Sequence, residues 1–192
     1  MSANATDEEI VIAYRNGDPE AFKELINRYA GILYNFTARI GGVSEAEDIV
    51  QETFIKVWKN IDRFDEKKAR FKTWLFTVAK NTTTDFLRKR KNVLFSDLEN
   101  NNREGEADSF DEKIPDENLL PDEVLAKLED KTRLEKTLAK LPLPYREVLI
   151  LHYQEEMTFD EIGKILDKPL NTVKSQHRRA VLALRKSIDK LP

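Results

Sequence analysis

The sequence predicts an all-α protein: two small helical domains joined by a flexible acidic linker, the C-terminal one carrying a helix-turn-helix. Three observations lead there. Apolar residues recur at helical spacing along most of the chain, and period-two alternation is scarce. Helix-start signals stand in front of the periodic stretches, at Thr6/Glu9, Asp18-Pro19, Ser44/Glu47 and Thr158/Glu161. Charge is segregated, with net values of −5 over residues 1–50, +7 over 51–91, −10 over 92–130 and +5 over 131–192. The overall charge of −3 therefore conceals two basic blocks around a very acidic one. Disulfides and thiolate metal sites are excluded, because there is no cysteine. No basic-then-apolar leader opens the chain, and no apolar run approaches the roughly 20 residues of a membrane span, so a cytoplasmic protein without membrane insertion is expected.

Taken in order, Thr6 and Glu9 open a first helix carrying Ile10, Ala13 and Tyr14, which Gly17 ends. Asp18-Pro19 starts a second, running to about Arg39 with an apolar face of Phe22, Leu25, Ile26, Tyr29, Ile32, Leu33 and Phe36. After a Gly41-Gly42 turn, Ser44 and Glu47 cap a third helix, Glu45 to about Ile61. Its inner stripe is Val50, Phe54, Val57, Trp58 and Ile61; its outer strip is Asp48, Gln51, Glu52, Ile55 and Lys59. That strip fits a plain solvated face. It also fits a docking surface for a partner helix, carboxylates surrounding one apolar anchor.

Between Arg63 and Lys91, ten basic residues meet three acids, with Phe64, Phe71, Trp74, Phe76 and Phe86 interleaved. Residues 62–70 read as a loop and 71–90 as a helix buried through Phe71, Trp74, Leu75 and Val78. Cations that neutralise phosphates, beside rings that hold unstacked bases, are what single-stranded nucleic acid requires. Several of these aromatics also suit a core.

Residues 92–121 form the acidic linker, rich in Asn, Asp, Glu and Pro and without a sustained helical period. From Asp122 the period resumes with Val124, Leu125, Leu128, Leu134, Leu138 and Leu141, then Pro142 and Pro144 precede a helix with Val148, Leu149, Leu151 and His152. Thr158 and Glu161 cap the next helix, which carries Ile162, Ile165 and Leu166 and ends at Asp167-Lys168-Pro169. The last helix starts near Asn171 or Thr172 and buries Val173, His177, Ala180, Val181 and Leu184. Lys174, Ser175, Arg178 and Arg179 face the other way. This is the layout of a helix-turn-helix whose second helix enters the major groove, and equally of an αα-hairpin with a solvated basic face.

At this point the chain resembles the small extracytoplasmic-function sigma factors of bacterial RNA polymerase. AEDIVQETFIKVWKNIDRF with FKTWLFTVAKNTTTDFLRKRK is similar to their N-terminal domain, and LPLPYREVLILHYQEEMTFDEIGKIL with NTVKSQHRRA to their C-terminal one. The second block alone is also similar to response-regulator output domains; both blocks around an acidic linker are more specific. The resemblance implies three sites. Asp48, Gln51 and Glu52, with Ile55 beside them, would dock on the clamp of the polymerase's largest subunit. Phe64, Arg70, Phe71, Lys72, Trp74, Lys80, Asn81 and Arg88 would open the minus-ten element and hold non-template bases, Asn81 matching the family's Ala-basic-Asn tripeptide. Thr172, Lys174, Ser175, Arg178 and Arg179 would read duplex DNA at minus thirty-five. Gln176, His177 and Arg178 stand where the family more often has Arg, Leu and His, and Asp167 where a turn glycine is common. An anti-sigma partner is implied too.

The domains would then be 1–91 for docking and melting, 92–121 for the linker, and 122–192 for duplex reading. No catalytic constellation, metal site or cofactor is expected, since His152 and His177 lack carboxylates at ligand spacing and no phosphate-cradling glycine loop is present. The other reading is a stand-alone helix-turn-helix regulator, which would leave the basic-aromatic block unused.

Overall fold

A computed structural model describes residues 5–96 and 137–188 of the chain. In order, the helices are α1 (Asp7–Arg15), α2 (Pro19–Gly41), α3 (Ala46–Asn60), α4 (Phe71–Ser96), α5 (Leu143–Leu149), α6 (Phe159–Leu166) and α7 (Leu170–Ile188). A 3₁₀ turn at Ile61–Arg63 follows α3, and a π turn at Ile150–Gln154 follows α5. No strand occurs among the described residues. Among them, no helix is long and apolar enough to cross a membrane. The period read at Val124, Leu125, Leu128 and Leu134 and most of the acidic linker lie outside the described residues.

The local signals operate as their chemistry dictates at most helix ends. Thr6 and Glu9 form a reciprocal capping box, Asp18 accepts from the Glu20 N–H ahead of Pro19, and Gly17 and Gly42 leave their helices at positive φ. Ser44 is an exception. Residue 45 occupies the cap position of α3 with helical dihedrals, and no side chain bonds to the first-turn amides. The Glu45 carboxylate instead meets Arg90 at 2.7 Å, tying the start of α3 to α4. Helix α4 also runs to Ser96, five residues into the segment read as linker, because neither glycine nor proline interrupts it.

Helices α1 to α4 close around Ile10, Leu25, Leu33, Phe36, Val57, Phe71, Leu75 and Phe76, all essentially inaccessible. Trp58 departs from its expected place on the inner stripe of α3. It is 54% exposed, and its indole N–H donates to the Tyr14 hydroxyl (2.7 Å) at the surface between α1 and α3. A large ring with a polar edge settles at the rim of a core when a partner for its N–H lies there.

In the C-terminal half, Thr158 and Glu161 complete a second capping box, and α6 ends at Asp167 in the left-handed region (φ 54°). Gly163 is required by close approach: a Cβ there would lie 2.9 Å from the Lys168 carbonyl oxygen. The tight turn brings α7 across α6, burying Val173, His177, Ala180, Val181 and Leu184 as the stripe predicts. The two halves are not apart. Val148, Ile150, Leu151, Met157, Ile162, Ile165 and Leu166 join the apolar cluster of the N-terminal half, and α6 packs along α4.

Candidate functional site

Three surfaces carry the sequence-derived sites. On α3, Asp48, Gln51 and Glu52 are exposed and Ile55 stands in water at 45%. The helix can turn this face outward because Ile49, Val50, Thr53, Phe54 and Val57 satisfy the core on the other side. Trp58 belongs with this face. It follows Ile55 by three residues, so the positions 48, 51, 55 and 58 run along one stripe at helical spacing. Its spacing from Ile55 is the signal in the sequence that marks it as outward-facing. Among the described residues this is a carboxylate-edged strip with two exposed apolar anchors, the form that a basic partner helix fits.

The second surface lies on α4 and the loop before it. Phe64 and Phe71, read as base-capturing residues, are core: they are 5% and 0% exposed and pack edge-to-face with ring centroids 5.6 Å apart. Two bonds from α1 hold them there. Arg15 donates to the Phe64 carbonyl (2.6 Å), and the Phe71 N–H donates to Glu8 Oε1 (2.8 Å), pulling the loop onto α1. Trp74 completes this aromatic cluster, 5.4 Å from Phe64 and 5.8 Å from Phe71, while remaining partly accessible. The polar members are placed outward. Arg70, Asn81 and Arg88 are exposed, and Lys72 and Lys80 are half-buried. Buried Thr82 and Thr83 hold α4 by donating to the carbonyls one turn back, at 2.9 and 2.8 Å.

The third surface is the N-terminal half of α7. Thr172, Lys174, Ser175 and Arg179 are exposed on one side of the helix. Arg178 is only half-exposed, with Nε and Nη2 buried and unpartnered, so it lies at the margin of the surface rather than at its centre. His177 is buried, and its Nε2 shares a hydrogen bond with the Tyr153 hydroxyl (2.9 Å). Burial, aided by the charge of nearby His152, lowers its pKa to about 4. It is therefore neutral near pH 7 and serves as a packing residue behind the exposed face. His152 stacks on Phe159, with centroids 4.5 Å apart, and its Nδ1 lies 2.9 Å from the Met157 carbonyl oxygen, completing the support under α6 and α7.

Geometry thus brings the candidates into three separate patches: an acidic-apolar strip, a polar and basic helix flank, and an exposed recognition-type helix. The comparisons with known proteins follow the same order along the chain. Residues 25–93 match the family model described as Sigma-70 region 2, and residues 131–184 match Sigma-70, region 4. The extracytoplasmic-function (ECF) RNA polymerase sigma factor SigW of Bacillus subtilis is 38% identical over 175 residues, covering 91% of this chain and 92% of the relative. The ECF RNA polymerase sigma-E factor of Escherichia coli K12 is 30% identical, covering 100% of this chain and 98% of the relative. Among solved structures, the sigma factor RpoE in complex with the anti-sigma factor NepR, from Bartonella quintana, superposes with a TM-score of 0.64 at 25% identity. The match covers 89% of this chain and 98% of that one.

Proposed function

Because this chain belongs to the extracytoplasmic-function sigma factors of RNA polymerase, we propose that its three patches divide the work of promoter-specific initiation among them. The α3 strip, Asp48, Gln51 and Glu52 around Ile55 and Trp58, docks on the clamp of the polymerase's largest subunit. Arg70, Lys72, Lys80, Asn81 and Arg88, with the accessible edge of Trp74, handle the melted minus-ten region. Thr172, Lys174, Ser175 and Arg179 read the minus-thirty-five duplex, with Arg178 at the edge of the contact. Residues 1–91 with the end of α4, to Ser96, form the docking and melting domain, the residues from there to 121 the linker, and 122–192 the duplex-reading domain. The factor works in the cytoplasm, performs no covalent chemistry and needs no cofactor. An anti-sigma protein is among its partners, as one is for the Bartonella relative.

The observation that carries this division is the α3 surface. An isoleucine and a tryptophan stand at 45% and 54% exposure amid carboxylates, the indole held at the surface by its bond to the Tyr14 hydroxyl, and they suit a partner that buries both side chains and pairs the acids. Exposure of both anchors costs the free chain apolar burial that a partner restores. A stand-alone regulator would use α7 and leave this strip and the α4 cations without a role. The test is pull-down of core polymerase by Asp48→Arg and Glu52→Arg variants, with circular dichroism to confirm the fold. Both should lose most of the binding at unchanged helicity; undiminished binding by both would move the docking surface elsewhere.

A further inference from the structure

One side-chain contact ties the recognition helix to the turn that precedes it. Lys168 donates through Nζ to Gln176 Oε1 (3.1 Å). Three features hold that lysine in place. Its backbone N–H donates to the Gly163 carbonyl (2.9 Å), which fixes the residue in the tight turn. The residue is half-buried. Its charge also faces Glu147 of α5, which is 6% exposed. Burial raises the Glu147 carboxyl, and Lys168, ahead of Lys80 and Arg146, is the strongest attraction opposing that rise. Gln176 follows Thr172 by four residues and precedes Arg179 by three, so it lies, half-buried, between two exposed members of the reading face.

The pairing decides which end of the carboxamide faces outward. A glutamine can turn either its oxygen or its nitrogen to a partner, but an ammonium only donates. Oε1 must therefore face Lys168, and the two N–H donors of Nε2 are left for another group. Accepting from a cation also draws electron density out of the amide, which strengthens those donors. An arginine at this position would instead set two cations against each other. Glutamine ordinarily reads adenine by accepting from N6 and donating to N7. With Oε1 turned toward Lys168, the accepting half of that pair points at the turn rather than the groove. Guanine, whose N7 and O6 both accept, is the base edge that suits an amide presenting donors alone. We propose that Gln176 is a specificity-determining residue of the duplex-reading helix, that it selects guanine through Nε2, and that Lys168 is the positioning residue which imposes this choice. The proposal rests on the reading of α7 as the helix that enters the minus-thirty-five groove.

The test is run-off transcription by the full chain with core polymerase, from promoters carrying each of the four bases at each minus-thirty-five position in turn. The wild type should favour guanine over adenine at one position by about tenfold, and Gln176→Ala should level that position alone. Lys168→Met keeps most of the stem and frees Oε1, so the same position should turn toward adenine, the ratio moving by about tenfold. Because Lys168→Met also leaves Glu147 without its strongest attraction, Gln176→Glu supplies a second arm that keeps the lysine. A carboxylate presents acceptors alone, so this variant should move the position to cytosine, whose N4 donates. Circular dichroism checks that each variant keeps its helicity. A folded Lys168→Met that loses activity equally on every promoter, with its base preference unmoved, would overturn the positioning role. Base preferences unchanged by both Gln176 variants, while Arg179→Ala still weakens promoter use, would overturn the inference and leave α7 as the duplex reader. No effect from any of these α7 substitutions would overturn both.

Discussion

His177 offers a direct check on the packing beneath the recognition helix. Its ring is 3% exposed, shares a hydrogen bond with Tyr153, and stands 5.1 Å from the ring of His152. Burial first, and the neighbouring histidine second, lower its pKa from 6.5 to about 4. Between those values the unfolded chain binds a proton at this position that the folded chain does not. The stability it contributes is therefore fully present above pH 6.5 and is lost as the pH falls toward about 4. The shift is worth about 3 kcal/mol in total, of which about 2 kcal/mol should be gone at pH 5. Glu147 and Glu155 act in the opposite sense, since their carboxyls are raised, chiefly by burial, and favour the folded state as acid protonates them. The comparison must consequently be made against His177→Leu, which keeps the glutamates and removes the imidazole. Urea unfolding followed by circular dichroism should show the stability difference between the two chains moving by about 2 kcal/mol from pH 7 to pH 5, in favour of the leucine variant. The chain has two histidines, so proton NMR resolves their titrations once this variant identifies one of them. A His177 titration near 6.5, or a pH-independent difference between the chains, would refute the buried placement.

Two other expectations concern the helix-turn-helix. Arg179→Ala should weaken use of cognate promoters by about 1–3 kcal/mol if the guanidinium makes a bidentate base contact, read by transcription from promoters varied at minus thirty-five. An equal loss on every sequence would demote it to a phosphate contact. Gly163→Ala forces a methyl to 2.9 Å from the Lys168 carbonyl oxygen, which should cost about 1–3 kcal/mol in urea unfolding and loosen the turn that sets α7. Unchanged stability would mean that the turn tolerates more space than the geometry allows.

Much of this was legible in the residues because it is local. The Thr158/Glu161 pair, the Asp18-Pro19 start and the stripe from Val173 to Leu184 each follow from spacing alone, and the structure returns them. Asp167 keeps the turn without glycine by adopting a left-handed conformation, which aspartate tolerates better than most residues. What the pattern could not convey is which partner an apolar or charged face meets. Phe64 and Phe71 sit in a segment dense with cations, and that density suggested bases; Arg15 and Glu8, on a distant helix, turned both rings inward. Ile162 and Ile165 announced a buried face but not that α4 would help bury it. Glu147 and Glu155 carried no signal in sequence, since isolated acids on a helical stretch read as solvated until the opposing lysines are known. Ser44 and Glu47 had capping spacing, yet the contact of Glu45 with Arg90 set the start of α3 instead.

The central claim, that this chain directs polymerase to promoters by two DNA contacts, is tested most directly by run-off transcription with core polymerase, with and without the protein. Discrete promoter-dependent transcripts should appear only when the protein is added, and each of Glu52→Arg, Lys80→Ala and Arg179→Ala should diminish them. Tight promoter binding by the protein alone, with no stimulation of core polymerase, would contradict the account.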